Sequence, residues 1–323
     1  VRAWQIVAHG QPPELAELGG PEVPAGAVLV EVTAAPITPL DVLTASGTSY
    51  FGPPALPYIP GVQGVGRVVD GGKRVWFTTD AGMRPGDGSL ADRAAVRVDR
   101  MWPIPGDAAD VADIVVAGLG LSAVAAHGAL RRGRVAPGER ILVLGAGGVV
   151  GRVAVQLARA WGAGLVVAAC RGAEAAERAR DLGADVAVDI AGMDADDVTA
   201  AFRAAAPDGV DLVVDPVWGL PAQAALATLA PGGRLVNLGD GAGASATFAS
   251  AAVRSRTAEI LGYTNLALTW TAQTDAMGEI LRLTAEGRLR LEPEVVPMSG
   301  ADEGWQRQAQ RRNTSRVVVD LRR

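Results

Sequence analysis

The chain has 323 residues, of which 49% are hydrophobic and 20% charged, and its formal net charge is −5. This is a globular composition with ample core, and at about 100–200 residues per domain it predicts two domains. Net acidity without a Lys/Arg run argues against nucleic acid as a partner. The single cysteine, Cys170, excludes an intrachain disulfide, and with only His9 and His127 beside it a cysteine-built zinc site is excluded as well.

The first 105 residues read as strands and loops. Val28–Thr33, Gly66–Val69, Arg74–Phe77 and Ala94–Val98 are predicted strands, the second and third separated by the turn Asp70-Gly71-Gly72. Prolines at 36, 39, 53, 54, 57 and 60 bracket a short helix, Leu40–Ala45. A helix is predicted over Ala108–Leu130. Its stretch Val111–Leu130 is the most membrane-like in the chain, but Asp113, Ser122 and His127 interrupt it, so it reads as a buried helix. Residues 1–10 carry Arg2 but no apolar run, so no signal peptide and a cytoplasmic location are expected.

From Arg140 onward the texture changes. Predicted strands Ile141–Leu144, Leu165–Ala169, Val186–Asp189, Leu212–Val214, Leu235–Leu238 and Glu259–Gly262 alternate with Ala-rich helices Val150–Trp161, Ala173–Leu182, Ala195–Ala206 and Pro221–Ala230. Wholly apolar strands alternating with helices predict an α/β fold built on a doubly wound parallel sheet. Helices Thr274–Glu286 and Asp302–Arg312 and strands Glu294–Val296 and Arg316–Asp320 complete the chain.

The first of these strands runs into Gly145-Ala146-Gly147-Gly148-Val149-Val150-Gly151, followed by an amphipathic helix. Strand, glycine turn and helix form a dinucleotide-binding context, although the spacing is G-x-x-G-x-x-G. Gly145 permits the turn, Gly148 lets a pyrophosphate approach the backbone, and Gly151 lets the helix pack closely. An acid ending the second strand would grip the ribose of NAD. Here that strand ends Ala169-Cys170-Arg171-Gly172, so Arg171 is either a clamp for the 2′-phosphate of NADPH or a solvated surface residue. Glu174 reads as a first-turn helix acid.

Four stretches carry a resemblance over nearly the whole chain: Ile37–Gly47, Leu56–Gly61 with Gly64-Val65-Gly66, Leu119–Ala123, and Gly145–Gln156. In their order and spacing the chain resembles the medium-chain dehydrogenase/reductase superfamily, in its zinc-free quinone oxidoreductase branch. The resemblance implies a GroES-like catalytic domain (1–118 and 266–323), a Rossmann domain (119–265) and a homodimer. Zinc members place a Cys and a His-Glu pair where this chain has Thr38, Val62 and Gln63, so no metal is expected.

Without a metal, the expected chemistry is hydride transfer from NADPH to a quinone or an α,β-unsaturated carbonyl, which are small-molecule substrates. An enoyl-thioester reductase and a catalytically degenerate nucleotide-binding scaffold are the alternatives. Polar candidates for the reacting oxygen are Thr38, Asp41, Tyr50, Tyr58 and His127. Tyr50 is either the proton donor or a wall, Asp41 either a site residue or a helix cap, and His127 a core histidine before a catalytic one. The resemblance further implies cofactor contacts from Ser122, the turn residues Gly145, Gly147, Gly148, Val149, Val150 and Gly151, then Cys170, Arg171, Gly239 and Arg316. It also shows departures. Ala175 and Ile190 stand where a Lys and a Tyr are usual near the 2′-phosphate, Val149 replaces a Gly, and Arg178, Arg312 and Arg316 are the alternative cations.

Overall fold

The computed structural model describes residues 1–312 and 315–323. In chain order, β1 (Arg2–Gln5), β2 (Glu14–Glu17), β3 (Ala27–Pro36), α1 (Pro39–Ala45), β4 (Gln63–Val68), β5 (Arg74–Thr78), β6 (Arg93–Arg97) and β7 (Met101–Pro103) lead to the long helix α2 (Asp113–Arg132). The alternating region follows: β8 (Arg140–Val143), α3 (Val149–Ala160), β9 (Leu165–Cys170), α4 (Ala173–Asp181), β10 (Val186–Asp189), α5 (Ala195–Ala205), β11 (Val210–Asp215) and α6 (Gly219–Leu226). After β12 (Leu229–Asn237), α7 (Ser250–Arg254), β13 (Glu259–Gly262) and α8 (Trp270–Ala285), the chain ends with β14 (Glu294–Pro297), α9 (Ala301–Ala309) and β15 (Val317–Asp320). Two compact units result, 1–120 with 291–323, and 121–290.

The first unit is built on a seven-stranded sheet in the order β14-β15-β3-β4-β5-β7, with β6 also paired to β3. All of its pairings are antiparallel except β14–β15. In β3, Val30 and Val32 are buried while Glu31 faces out, the alternation of a sheet solvated on one side. The second unit holds a six-stranded, wholly parallel sheet in the order β10-β9-β8-β11-β12-β13. Ile141, Leu142 and Val143 of β8 and Leu212, Val213 and Val214 of β11 are all completely buried, as strands covered on both faces must be. The strand order reverses between β8 and β11, so a ligand crevice belongs outside their carboxyl ends.

The structure differs from the sequence reading in several places. Helix α2 starts at Asp113, not at residue 108, because Arg74 ties down the preceding loop through Ala109 O (3.2 Å) and through Asp113 itself (2.6 Å). Gly120 (φ 33°, ψ −136°) breaks its helical path. By length and composition α2 could cross a membrane, but most of it is buried in protein. The helix expected over Pro221–Ala230 stops at Leu226, since Leu229 already pairs with Val210 as the start of β12. Strands β1 and β2 carry no alternating apolar signal.

Residues 266–290, expected with the first domain, belong to the second unit. Helix α8 buries Met277, Ile280 and Leu281, and its Glu279 accepts from Trp161 Nε1 (2.7 Å) and lies 3.0 Å from His127 Nε2. Gln156 adds two bonds to the backbone of Arg290. His127 is thus held between Glu279 and the edge of the Trp161 ring, and burial pushes its pKa below the usual value. This is a packing role.

Candidate active site

In the second unit, β8 delivers the chain into the glycine turn. Gly145 has φ +60°, and a Cβ there would lie 2.8 Å from Val217 Cγ1. The turn closes through Gly148 N–H to Gly145 O at 3.0 Å, and Ala146 N–H bonds Ala169 O of β9 at 2.9 Å. A Cβ on Gly151 would lie 2.5 Å from Gly145 O, so only glycine lets α3 begin so close to the strand it leaves. Gly148 is exposed and caps α3 without any side-chain hydrogen bond. Among the described residues no side chain accepts from the N–H groups of Val149 and Val150, which are both half-buried. Gly147 is less constrained, its nearest neighbours being Ala175 Cβ at 3.5 Å and Cys170 Cβ at 3.9 Å.

Cys170 ends β9, buried, with its Sγ 3.8 Å from Val188 O; burial raises its thiol pKa, which leaves a wall residue. Arg171 is exposed and makes no hydrogen bond or ion pair with any described residue. Its neighbours differ, for Glu174 pairs with Arg178 one turn on. Gly239 follows β12, where a Cβ would meet Pro216 O at 2.5 Å. Asn237 Nδ2 donates to Gly239 O (2.7 Å) and to Asp215 Oδ2 (3.1 Å), while Asp215 Oδ1 accepts from Val217 and Trp218 N–H. Sequence reasoning does not single out Asp215 as the anchor of this turn. Its signal in the sequence is an acid closing an apolar strand directly before Pro216. Ser122 lies just past the Gly120 break, half-buried.

The first unit brings Thr38, Asp41 and Arg316 together. Thr38 caps α1 in a capping box: Asp41 N–H donates to Thr38 Oγ1 at 3.2 Å, and Thr38 N–H to Asp41 Oδ2 at 2.8 Å. The Thr38 hydroxyl also donates to Asp41 Oδ2, at 2.6 Å. Asp41 Oδ1 accepts from Gly61 N–H (3.2 Å) and Val62 N–H (2.9 Å). The carboxylate is 1% exposed. Burial raises its pKa against the pull of Thr38, Val62 and the Arg316 charge. Arg316 is itself buried, donates to Ile37 O at 3.0 Å, and is brought down to about 10 by desolvation. This corrects its expected place at the 2′-phosphate: a guanidinium enclosed beside Ile37 and Asp41 in the first unit is not presented to a cofactor.

Tyr50 lies on the turn after α1, 77% exposed, its ring centroid 4.3 Å from that of Phe51. Its hydroxyl has no partner among the described residues. Tyr58 is buried, and desolvation pushes its pKa up to about 12. Gln63 accepts from Trp76 Nε1 at 3.1 Å, and its side chain fills the space a Cβ on Gly120 would need. No group of three or more His, Cys, Asp or Glu among the described residues is placed to hold a metal ion.

Residues 24–106 match the alcohol dehydrogenase GroES-like domain, and residues 149–285 match the zinc-binding dehydrogenase domain. The quinone oxidoreductase of Thermus thermophilus, whose structure was solved alone and with NADPH, superposes with a TM-score of 0.83 at 31% identity, covering 99% of this chain and 100% of that one. The chain belongs to the medium-chain dehydrogenase/reductase superfamily, in its zinc-free quinone oxidoreductase branch. It is an oxidoreductase. A phenolphthiocerol/phthiocerol polyketide synthase polypeptide of Mycobacterium tuberculosis is 30% identical over 91% of this chain, which spans only 13% of that protein. A chloroplastic NADPH-dependent alkenal/one oxidoreductase of Arabidopsis thaliana is 30% identical over 68% of this chain and 56% of its own length. One domain family is named for zinc, yet at the ligand positions this chain carries a helix cap (Thr38), a valine (Val62) and a hydrogen-bonded amide (Gln63).

Replacing Asp41 by Ala strands the N–H groups of Thr38, Gly61 and Val62 and removes a negative charge that favours the charged form of buried Arg316. The expected loss of stability is about 3–5 kcal/mol, read from urea unfolding; a parent-like midpoint would show that the carboxylate is not what holds α1 in place.

Proposed function

We propose that this oxidoreductase uses NADPH to reduce a quinone or an α,β-unsaturated carbonyl compound, without a metal. The observation that carries the cofactor reading is Arg171, an exposed cation with no partner among the described residues, one residue past the strand end that faces the open glycine turn. A 2′-phosphate there gains charge-assisted hydrogen bonds. The pyrophosphate meets the free N–H groups at the start of α3, with the helix dipole behind them. Ser122 and Gly239 are assigned to the nicotinamide side. When bound, the cofactor supplies the hydride. The chain's own residues hold it, exclude water and manage the proton. The relatives from Thermus and Arabidopsis, named as a quinone oxidoreductase and an alkenal/one oxidoreductase, support the same substrate class.

The substrate oxygen gains negative charge as hydride arrives at the conjugated carbon, and it needs a donor. Thr38 is not that donor, because its hydroxyl hydrogen goes to Asp41. Tyr58 and His127 are engaged in packing. Tyr50 is the exposed candidate, its O–H without a partner among the described residues, and it is assigned the proton-donor role, with Asp41 as a positioning residue. A second reading, an enoyl-thioester reductase, is favoured by the match to a polyketide synthase over 91% of this chain. NADPH oxidation against quinones, enones and enoyl thioesters separates the two readings, and NADPH binding with no turnover on any of them would point to a degenerate scaffold.

Arg171→Ala is expected to cost about 1.5–3 kcal/mol of NADPH binding, roughly tenfold or more in Kd, with little change for NADH. Equal affinity of the parent for both cofactors would overturn the assignment.

Tyr50→Phe removes one O–H and should lower kcat by about 10²–10⁴-fold for enones, the range of general acid catalysis, and by less for quinones, whose reduced oxygens are weaker bases. NADPH affinity should not move. Parent rates on both classes would make Tyr50 a wall and water the proton source.

The assembly reading is a homodimer joined along β13. That strand ends the parallel sheet and leaves Ile260 42% exposed, an open edge that a second copy would close. Light scattering should report a dimer at micromolar concentration and a monomer for Ile260→Lys; a monomeric parent would refute it.

A further inference from the structure

Strand β9 carries no acid at its end, but its neighbour does. In the parallel β9–β10 pair, Asp189 is in register with Cys170, so the last residue of β10 lies beside the last residue of β9. Asp189 Oδ1 accepts from Gly172 N–H at 2.8 Å and from Ala191 N–H at 3.0 Å. Ile190 N–H bonds Cys170 O at 2.9 Å. The residues on either side of Arg171 are therefore both tied to the end of β10: Cys170 through its carbonyl, Gly172 through its amide. Gly172 has φ 93°, a conformation that suits glycine, and it opens α4 with no side-chain cap of its own. Between these two anchors Arg171 projects from a turn whose backbone is fixed, while its guanidinium is uncommitted among the described residues.

We infer that Asp189 is the positioning residue for cofactor selection: by pinning Gly172 it pre-orients Arg171 toward the 2′-phosphate of NADPH. This rests on the NADPH reading above. Asp189 does this with geometry, not charge. One oxygen carries both hydrogen bonds, and an amide oxygen at the same place can carry them too. An aspartate acting instead as a ribose ligand would favour NADH, and its loss would weaken NADH binding.

The test is a double-mutant cycle on cofactor binding to the full chain, with Kd values for NADPH and NADH measured by titration. Asp189→Ala should weaken NADPH by about tenfold, comparable to Arg171→Ala, and leave NADH within about twofold. Asp189→Asn, which keeps the acceptor oxygen, should restore NADPH binding to near the parent value. In the Arg171→Ala background, Asp189→Ala should have no further effect on NADPH. Additive losses, an equal loss for NADH, or failure of the Asn variant to rescue would each overturn the inference while leaving the Arg171 assignment standing. A parent that binds both cofactors alike, unaffected by Arg171→Ala, would overturn the cofactor reading and this inference with it.

Discussion

The approach of Gly151 to Gly145 O sets the rest of the second unit. With a Cβ at 151 only 2.5 Å from that oxygen, any other residue would push α3 away from the β8 turn. The contact lets the helix start immediately after the strand, keeps its first N–H groups at the carboxyl edge of the sheet, and places that edge where the strand order reverses. Val217 closes over Gly145 from β11's side, and the Asp215 carboxylate holds Val217 and Trp218 through their amides. The crevice edge is therefore built by close backbone packing on one side and a buried acid on the other.

The first unit solves a different problem. A short helix following a proline needs its N-terminus satisfied, and Thr38 and Asp41 do this reciprocally. The same carboxylate then reaches the Gly61-Val62 backbone and lies in the field of Arg316. Three segments distant in sequence meet at one buried group. Desolvation is the dominant influence on both Asp41 and Arg316, pushing the acid's pKa up and the base's down, while the charge of each works against the shift of the other.

The sequence shows most clearly what is periodic or local. Parallel strands appear as unbroken apolar runs, and the glycine turn appears because strand, turn and helix are contiguous. The α1 cap is also visible, as one of two readings for Asp41; its burial and its two further donors, 20 and 21 residues away, are not. Arg316 is misplaced for the same reason: its partner Ile37 lies 279 residues earlier, and sequence alone does not bring the chain ends together. Asp189 ends a strand that is plain in the sequence, but its bond to Gly172 follows from strand register, which carries no local signature. The grouping of residues 266–290 depends on the side-chain contacts of Glu279 and Gln156, which no composition change marks.

The positions where zinc members carry their ligands are otherwise occupied in this chain, and that bears on which substitutions it tolerates. Thr38 cannot become a thiolate ligand without losing the donor to Asp41 and the cap of α1. Gln63 cannot become a carboxylate without placing a charge where its amide now takes the Trp76 N–H and packs against the Gly120 break. Val62 is buried, and an imidazole there is a larger and more polar side chain to enclose. Each single step toward a zinc site would damage the fold before the other two ligands were present to repay it with a bound ion. With these side chains engaged in capping and packing, a zinc site is not one substitution away but three, and they would have to come together.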